Sequence, residues 1–182
     1  MYCWGSNQQG ELGIGRIPDP LSGTQPGATS PVQVSTSLRF TSVTAGGNDT
    51  CGLTLQGGVA CWGDNHVGEL GSGQPGPPQS LPLLMSGAGT YTSVAAGTVH
   101  TCGLAPDGTA LCWGGNWFGA LGDGTSTAAG SGSERGLPMP VRTSRKFIQI
   151  APGGSHTCAL EKGGAVWCWG DRARGQMGDG KA

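Results

Sequence analysis

Charge is scarce in this chain. Of its 182 residues only 12% are Asp, Glu, Lys or Arg, and the formal net charge is −1. A nucleic-acid surface needs clustered Lys and Arg to neutralise phosphates, so this balance argues against that partner and against an anionic membrane surface. Long apolar runs are missing too, and no stretch approaches the roughly 20 residues that span a bilayer as a helix. Gly-x-Ser-x-Gly, His-Glu-x-x-His and the EF-hand loop are absent, as is any helical stretch of useful length.

What the chain has in excess is glycine, 37 residues, with 12 prolines. Such a composition can signal disorder, but six tryptophans, four of them at one position of a strict repeat, point to packed structure. The clearest copy runs from Gly97 to Gly122, and near-copies begin at Gly47 and Gly154. Its second half also opens the chain, from Cys3 to Gly13. The Cys-Trp-Gly marks start at Cys3, Cys61, Cys112 and Cys168, spaced 51 to 58 residues apart. A period near 50 indicates a propeller or an array of like units.

Within a unit the signals are for strands. Phe40–Ala45, Tyr91–Ala96 and Phe147–Ala151 are short, β-branched or aromatic, and closed by glycine or Pro-Gly; they read as buried strands, apolar on more than one face. Thr50–Leu55 and Gly58–Trp62 flank a Gln56-Gly57 turn. The other copies turn at Pro106-Asp107-Gly108 and Lys162-Gly163-Gly164, so each unit holds a hairpin. A weaker strand is expected ahead of each unit, at Pro31–Val34, Leu81–Leu84 and Met139–Arg142, its proline suited to a sheet edge. Four short strands per period make a propeller blade. The expected organisation is all-β, a single repeat domain over 1–182: a partial blade at 1–13 and blades at 31–71, 81–122 and 137–180. Gly/Ser/Thr/Pro-rich linkers of uneven length, between Gly13 and Pro31, Gly71 and Leu81, and Gly122 and Leu137, read as surface loops.

Six of the seven cysteines form pairs ten positions apart: Cys51 with Cys61, Cys102 with Cys112, and Cys158 with Cys168. Each pair is symmetric about its turn. Opposed hairpin residues lie roughly 4.5–5.5 Å apart at Cα, within the range a disulfide accepts. Each would contribute about 2–3 kcal/mol in the chain-entropy model. Reduced cysteines packed as small core residues are the alternative. Zinc fits poorly, since a unit offers two cysteines where four ligands are needed. Cys3 is left unpaired in the second-cysteine slot, its expected partner lying ten residues upstream, so the chain reads as a fragment starting inside a repeat. Disulfides imply an oxidising compartment, hence an extracellular or cell-surface setting, the export signal presumed to lie upstream.

Trp4, Trp62, Trp113 and Trp169 recur once per unit and read as packing residues at contacts between blades. His100 and His156 share a slot that Asp49 fills in the first unit; a His-Thr pair there reads as a structural hydrogen-bonding pair. His66 lies in a loop. Asp64, Asp171, Glu11 and Glu69 are the carboxylates an enzyme would have to draw on, and none forms a pair that demands acid–base chemistry. No catalytic residue, metal site or cofactor is expected. The slot after Trp-Gly-x-Asn varies: Gln8-Gln9, His66-Val67, Trp117-Phe118, then Ala173-Arg174. The large apolar pair Trp117-Phe118 either anchors a protein partner or packs on the neighbouring blade. Trp117, Phe118, His66 and Arg174 are the candidate partner-binding residues.

Together, His-Thr-Cys-x-Leu, a turn glycine and Cys-Trp-Gly-x-Asn-x-x-Gly-x-Leu-Gly resemble the repeat of the regulator of chromosome condensation family, most closely its cysteine-bearing bacterial form. The resemblance covers nearly the whole chain. It implies a seven-bladed β-propeller, of which about three and a half blades are here, and an open arc of this kind has two exposed edges through which it could self-associate. The family includes a nuclear exchange factor for a small GTPase that binds chromatin, whose basic arm has no counterpart here. It also includes a plant UV-B sensor with a Gly-Trp-Arg-His-Thr motif, which Gly97–Thr101 and Gly154–Thr157 match without the tryptophan. A secreted bacterial member inhibits β-lactamases through loops on one face. The function expected is non-catalytic protein binding through variable loops by a secreted or surface-exposed propeller. The alternatives are an exchange-factor or chromatin role and a glycan-active propeller enzyme.

Overall fold

The computed structural model describes residues 1–19, 27–85, 89–127 and 133–181. Among them every regular element is a β-strand. β1 (Tyr2–Ser6) pairs with β2 (Gly27–Gln33). β3 (Phe40–Ala45), β4 (Asp49–Thr54), β5 (Val59–Gly63) and β6 (Gln79–Leu84) form one antiparallel sheet in that order. β7 (Ser93–Ala96), β8 (His100–Leu104), β9 (Ala110–Gly114) and β10 (Arg135–Pro140) form the next. β11 (Phe147–Pro152), β12 (His156–Glu161) and β13 (Val166–Gly170) form a third. The fold is a β-propeller arc.

The hairpins follow from local chemistry. Gly57, Gly108 and Gly164 sit at φ +81°, +81° and +87°, a conformation glycine adopts without steric cost. This fixes the register, which sets Cys51 opposite Cys61, Cys102 opposite Cys112 and Cys158 opposite Cys168. Each pair is joined as a disulfide with Cα atoms 4.1 Å apart. Cys3 is unpaired and half-buried.

Two expectations need correcting. The proline-bearing strand does not open the unit that follows it. β6 pairs with β5, and β10 with β9, so each closes the sheet before it. Sheets therefore run over 40–84 and 93–140, and the range 31–71 borrows β2 from the partial sheet ahead. The physical reason is that β5 leaves its hairpin with a free edge, and the returning chain takes it. Pro82 and Pro138 then lie on the outermost strand, where no ladder donor is needed. The repeat period is the same under either grouping, so spacing alone does not separate them. The first strand of a unit is also less buried than its composition suggests: Val43 is 52% exposed and Ile148 59%. Such a strand has one ladder neighbour, and only part of its surface meets the next sheet. The linkers before Pro31 and Leu137 lie partly outside the described residues.

The core sits between sheets. One cluster gathers Leu53, Val59, Leu70, Tyr91 and Trp113 around the Cys51–Cys61 bridge. A second gathers Leu104, Leu121, Phe147 and Ile150 around Cys102–Cys112. β3 contacts β7, and β7 contacts β11. The tight turns after these strands are stapled by backbone bonds, Gly47 N–H to Gly97 O at 2.9 Å and Thr98 N–H to Gly153 O at 3.0 Å. Among the described residues no helix is long and apolar enough to cross a membrane.

Candidate interaction surface

The recurring spacing within each unit builds a joint. The indole N–H of Trp62 donates to Glu11 O at 2.7 Å, and the Thr50 hydroxyl donates to the same oxygen at 3.1 Å. Trp113 and Thr101 repeat this on Glu69 O at 2.7 and 3.2 Å. Trp169 and Thr157 repeat it on Ala120 O at 2.9 and 2.8 Å. A Trp and a Thr directly opposite on one hairpin thus saturate one carbonyl of the preceding loop. The closing glycine of Leu-Gly makes room for the indole: a Cβ on Gly122 would lie 2.7 Å from Trp169 Nε1. Trp62 and Trp113 are fully buried by this contact. Trp4, whose indole meets no such loop among the described residues, is 64% exposed beside Tyr2.

The His slot is the third part of the joint. His100 Nε2 lies 2.8 Å from Thr157 Oγ1. That hydroxyl gives its single proton to Ala120 O, so the ring donates through Nε2 and Nδ1 carries no proton. Nδ1 has no partner and His100 is 1% exposed. Burial, and secondarily His156, lowers its pKa to about 4, so the ring is neutral at neutral pH. The hydrogen-bonding His-Thr pair expected from the sequence is not made between neighbours along the strand: the Thr that pairs with His100 belongs to the next sheet.

The loop between Trp-Gly and Leu-Gly is braced by its asparagine. Asn7, Asn65 and Asn116 accept through Oδ1 from Leu12, Leu70 and Leu121 N–H, and donate through Nδ2 to Arg16, Gln74 and Thr125 O. All three are buried. The four enzyme-candidate carboxylates act as braces in three separate loops. Glu11 accepts from Ser6 and Gln9, Glu69 from Val67 N–H, and Asp171 from Gln176. Asp64 pairs with His66. Among the described residues no group of His, Cys, Asp and Glu converges to hold a metal ion.

The structure separates the four candidate partner-binding residues onto three loops. His66 is exposed beside Asp64, and Arg174 is exposed with its N–H on Gln176 Oε1 at 2.7 Å. Trp117 is half-buried, bridged to Thr127, with its Nε1 buried and unpartnered. Phe118 is 44% exposed and sits at φ +55°, the one non-glycine at positive φ among the described residues. A left-handed residue of this kind costs about 1 kcal/mol. Its N–H donates to Thr127 O at 2.8 Å, which holds the strained turn in place. The ring borders a groove of about 550 Å³ shared with Ser126, Thr127 and the next loop at Gly170–Ala173. So Trp117 turns inward while Phe118 turns out, and the pair divides between the two roles the sequence left open. His66 and Arg174 do not line this groove.

Antiparallel sheets joined face to face by a Trp–carbonyl–Thr contact, with variable loops at one end, define a β-propeller repeat protein. Residues 1–53 and 107–160 match the Regulator of chromosome condensation (RCC1) repeat, and a second form of that repeat matches 40–69, 91–120 and 147–176. The chain belongs to the RCC1 repeat family. It is 32% identical to the RCC1 domain-containing protein RUG3, mitochondrial, of Arabidopsis thaliana, over 98% of the chain and 39% of that protein. It is 28% identical to the ultraviolet-B receptor UVR8 of the same plant, over 100% of the chain and 39% of the receptor. A further relative is human probable E3 ubiquitin-protein ligase HERC6, 28% identical over 98% of the chain but 17% of that protein. Among solved structures, human WBSCR16 superposes with a TM-score of 0.76 at 21% identity, covering 93% of the chain and 42% of that structure. Yeast RCC1 (Prp20), solved with Kap60 bound, gives 0.72 at 24% identity, covering 94% and 39%. The chain therefore spans two-fifths or less of the curated relatives it matches.

Proposed function

We propose that this chain is a non-catalytic, protein-binding propeller segment, and that the Phe118 loop with its groove is the contact surface. The observation that carries the reading is Phe118 itself. A large apolar ring is held outward by a strained backbone, in a slot where the other loops carry Gln9, Val67 and Arg174 without positive φ. Strain of this kind is retained where the surroundings over-determine it, often at functional sites. The groove's Asp171 and Arg172 supply polar groups beside the apolar ring, the composition of a recognition patch. Yeast RCC1, a structural neighbour, was solved bound to Kap60, which supports a binding role for this scaffold. The three disulfides support action in an oxidising setting, outside the cell or at its surface.

The test uses a photo-crosslinking residue, p-benzoylphenylalanine, placed at Phe118 in one variant and at Lys162, in a hairpin turn far along the sheet, in another. Both are exposed to the native extracellular fraction. A single adduct from position 118 that excess unlabelled wild type competes away, and that Phe118→Gly of unchanged melting temperature does not, is the expected result. Glycine suits positive φ, so this variant removes the ring without straining the loop. Equal labelling from both positions, or none from 118, overturns the reading.

A further inference from the structure

The two joints that flank the middle sheet share their Trp–carbonyl–Thr contact but differ at three positions around it. The joint between the second and third sheets has His100, Gly115 and Ala120. The joint between the first and second has Asp49, Asp64 and Glu69 in the same slots. Asp49 is 3% exposed and its carboxyl faces the Thr101 hydroxyl, as His100 faces Thr157. Thr101 has one hydroxyl proton, and two acceptors compete for it: Glu69 O, 3.2 Å away, and the Asp49 carboxyl. A carboxylate at position 49 would have to take it, leaving Glu69 O with the Trp113 indole alone. A carboxylic acid would instead donate to Thr101 Oγ1 and preserve the chain of bonds that His100 makes through Nε2.

We infer that Asp49 works as a neutral acid, donating to Thr101 where the other joint uses a histidine, and that ionising it loosens this joint and not the next. Among the described residues, the titratable groups acting on Asp49 are Glu69 and Asp64, both carboxylates. His66 pairs with Asp64 and acts on Glu69. Burial first, then the charges of Glu69 and Asp64, raise the pKa of Asp49 well above the ordinary carboxylate value, outweighing the lowering effect of its own backbone N–H and of the Thr101 hydroxyl. Burial raises Glu69 as well. The sign follows directly. A buried acid with a raised pKa favours the closed joint fully below its unfolded pKa, and that contribution is lost as the pH rises through the raised value. The joints thus respond oppositely: alkali loosens the first and acid the second.

Hydrogen exchange separates them residue by residue. Gly47 and Ala96 N–H bridge the first joint, to Gly97 O at 2.9 Å and Thr44 Oγ1 at 3.2 Å; Thr98 N–H bridges the second. Between pH 5 and 8.5, with intrinsic exchange corrected, protection at Gly47 and Ala96 is expected to fall at least tenfold while Thr98 is unchanged. Asp49→Asn, which donates but does not ionise, should abolish that pH dependence. The carbon-13 shift of the Asp49 carboxyl, read in the wild-type chain, is expected at its protonated position at pH 6. An ionised Asp49 at pH 6 overturns the inference, whether or not the variant folds. So does pH-independent protection at Gly47, or a parallel loss at all three amides.

Discussion

Acidifying the protein from pH 7 to pH 4 should weaken the joint between the second and third sheets through His100. The unfolded chain binds a proton at this residue near 6.5, and the folded chain only near 4. Between those values the unfolded state holds more protons, so stability falls as the pH falls and levels off below about 4. At roughly 1.4 kcal/mol per pH unit the gap corresponds to about 3 kcal/mol. The ring is 1% exposed, so solvent screening does little to reduce this. For a chain of this length, an unfolding entropy of about 2.1 cal/mol/K per residue converts that loss to roughly 8 °C in Tm. Carboxylates titrate over the same range, so the measurement is a difference. Calorimetric melts at steps between pH 7.5 and 4 are compared for the wild type and His100→Gln. The glutamine amide can donate to Thr157 Oγ1 but does not titrate. The wild type should lose about 8 °C more than the variant, most of it between pH 6.5 and 4. Parallel curves would refute the assignment of a buried neutral imidazole to this joint.

Further outcomes follow from the scaffold. Alkylation without reductant should modify Cys3 while Cys51, Cys61, Cys102, Cys112, Cys158 and Cys168 stay protected, read by intact mass; replacing Cys102 and Cys112 together by alanine should cost about 2–3 kcal/mol in urea denaturation. Gly122→Ala should cost about 2 kcal/mol or more, because it adds left-handed strain at φ +68° to a Cβ 2.7 Å from the Trp169 indole nitrogen. Gly175→Ala, at φ +77° in open space, should cost about 1 kcal/mol, and equal losses in the two variants would remove the indole from the account.

Several features were fixed by short-range chemistry, and the sequence alone determined them. Turn residues such as Gly57 and Pro106-Asp107-Gly108 set each hairpin. Ten-residue spacing about those turns placed the cysteines opposite one another. Recurrence near fifty residues made the architecture an array of like units, because such units bury their faces against each other. Other features depended on which chain segment arrives beside which, and local patterning does not carry that information. β6 reads the same whether it opens one sheet or closes another; only the free edge of β5 decides. His100 is adjacent to Thr101 in sequence, yet its hydrogen bond goes to Thr157, 57 residues on. Asp49 is a departure from a His slot in the sequence, and only the packing of Glu69 and Thr101 against it makes it a candidate proton donor. Trp117 and Phe118 form one dipeptide, but packing sends the first inward and the left-handed turn sends the second out. Composition specified the parts of each unit; the contact between units assigned their roles.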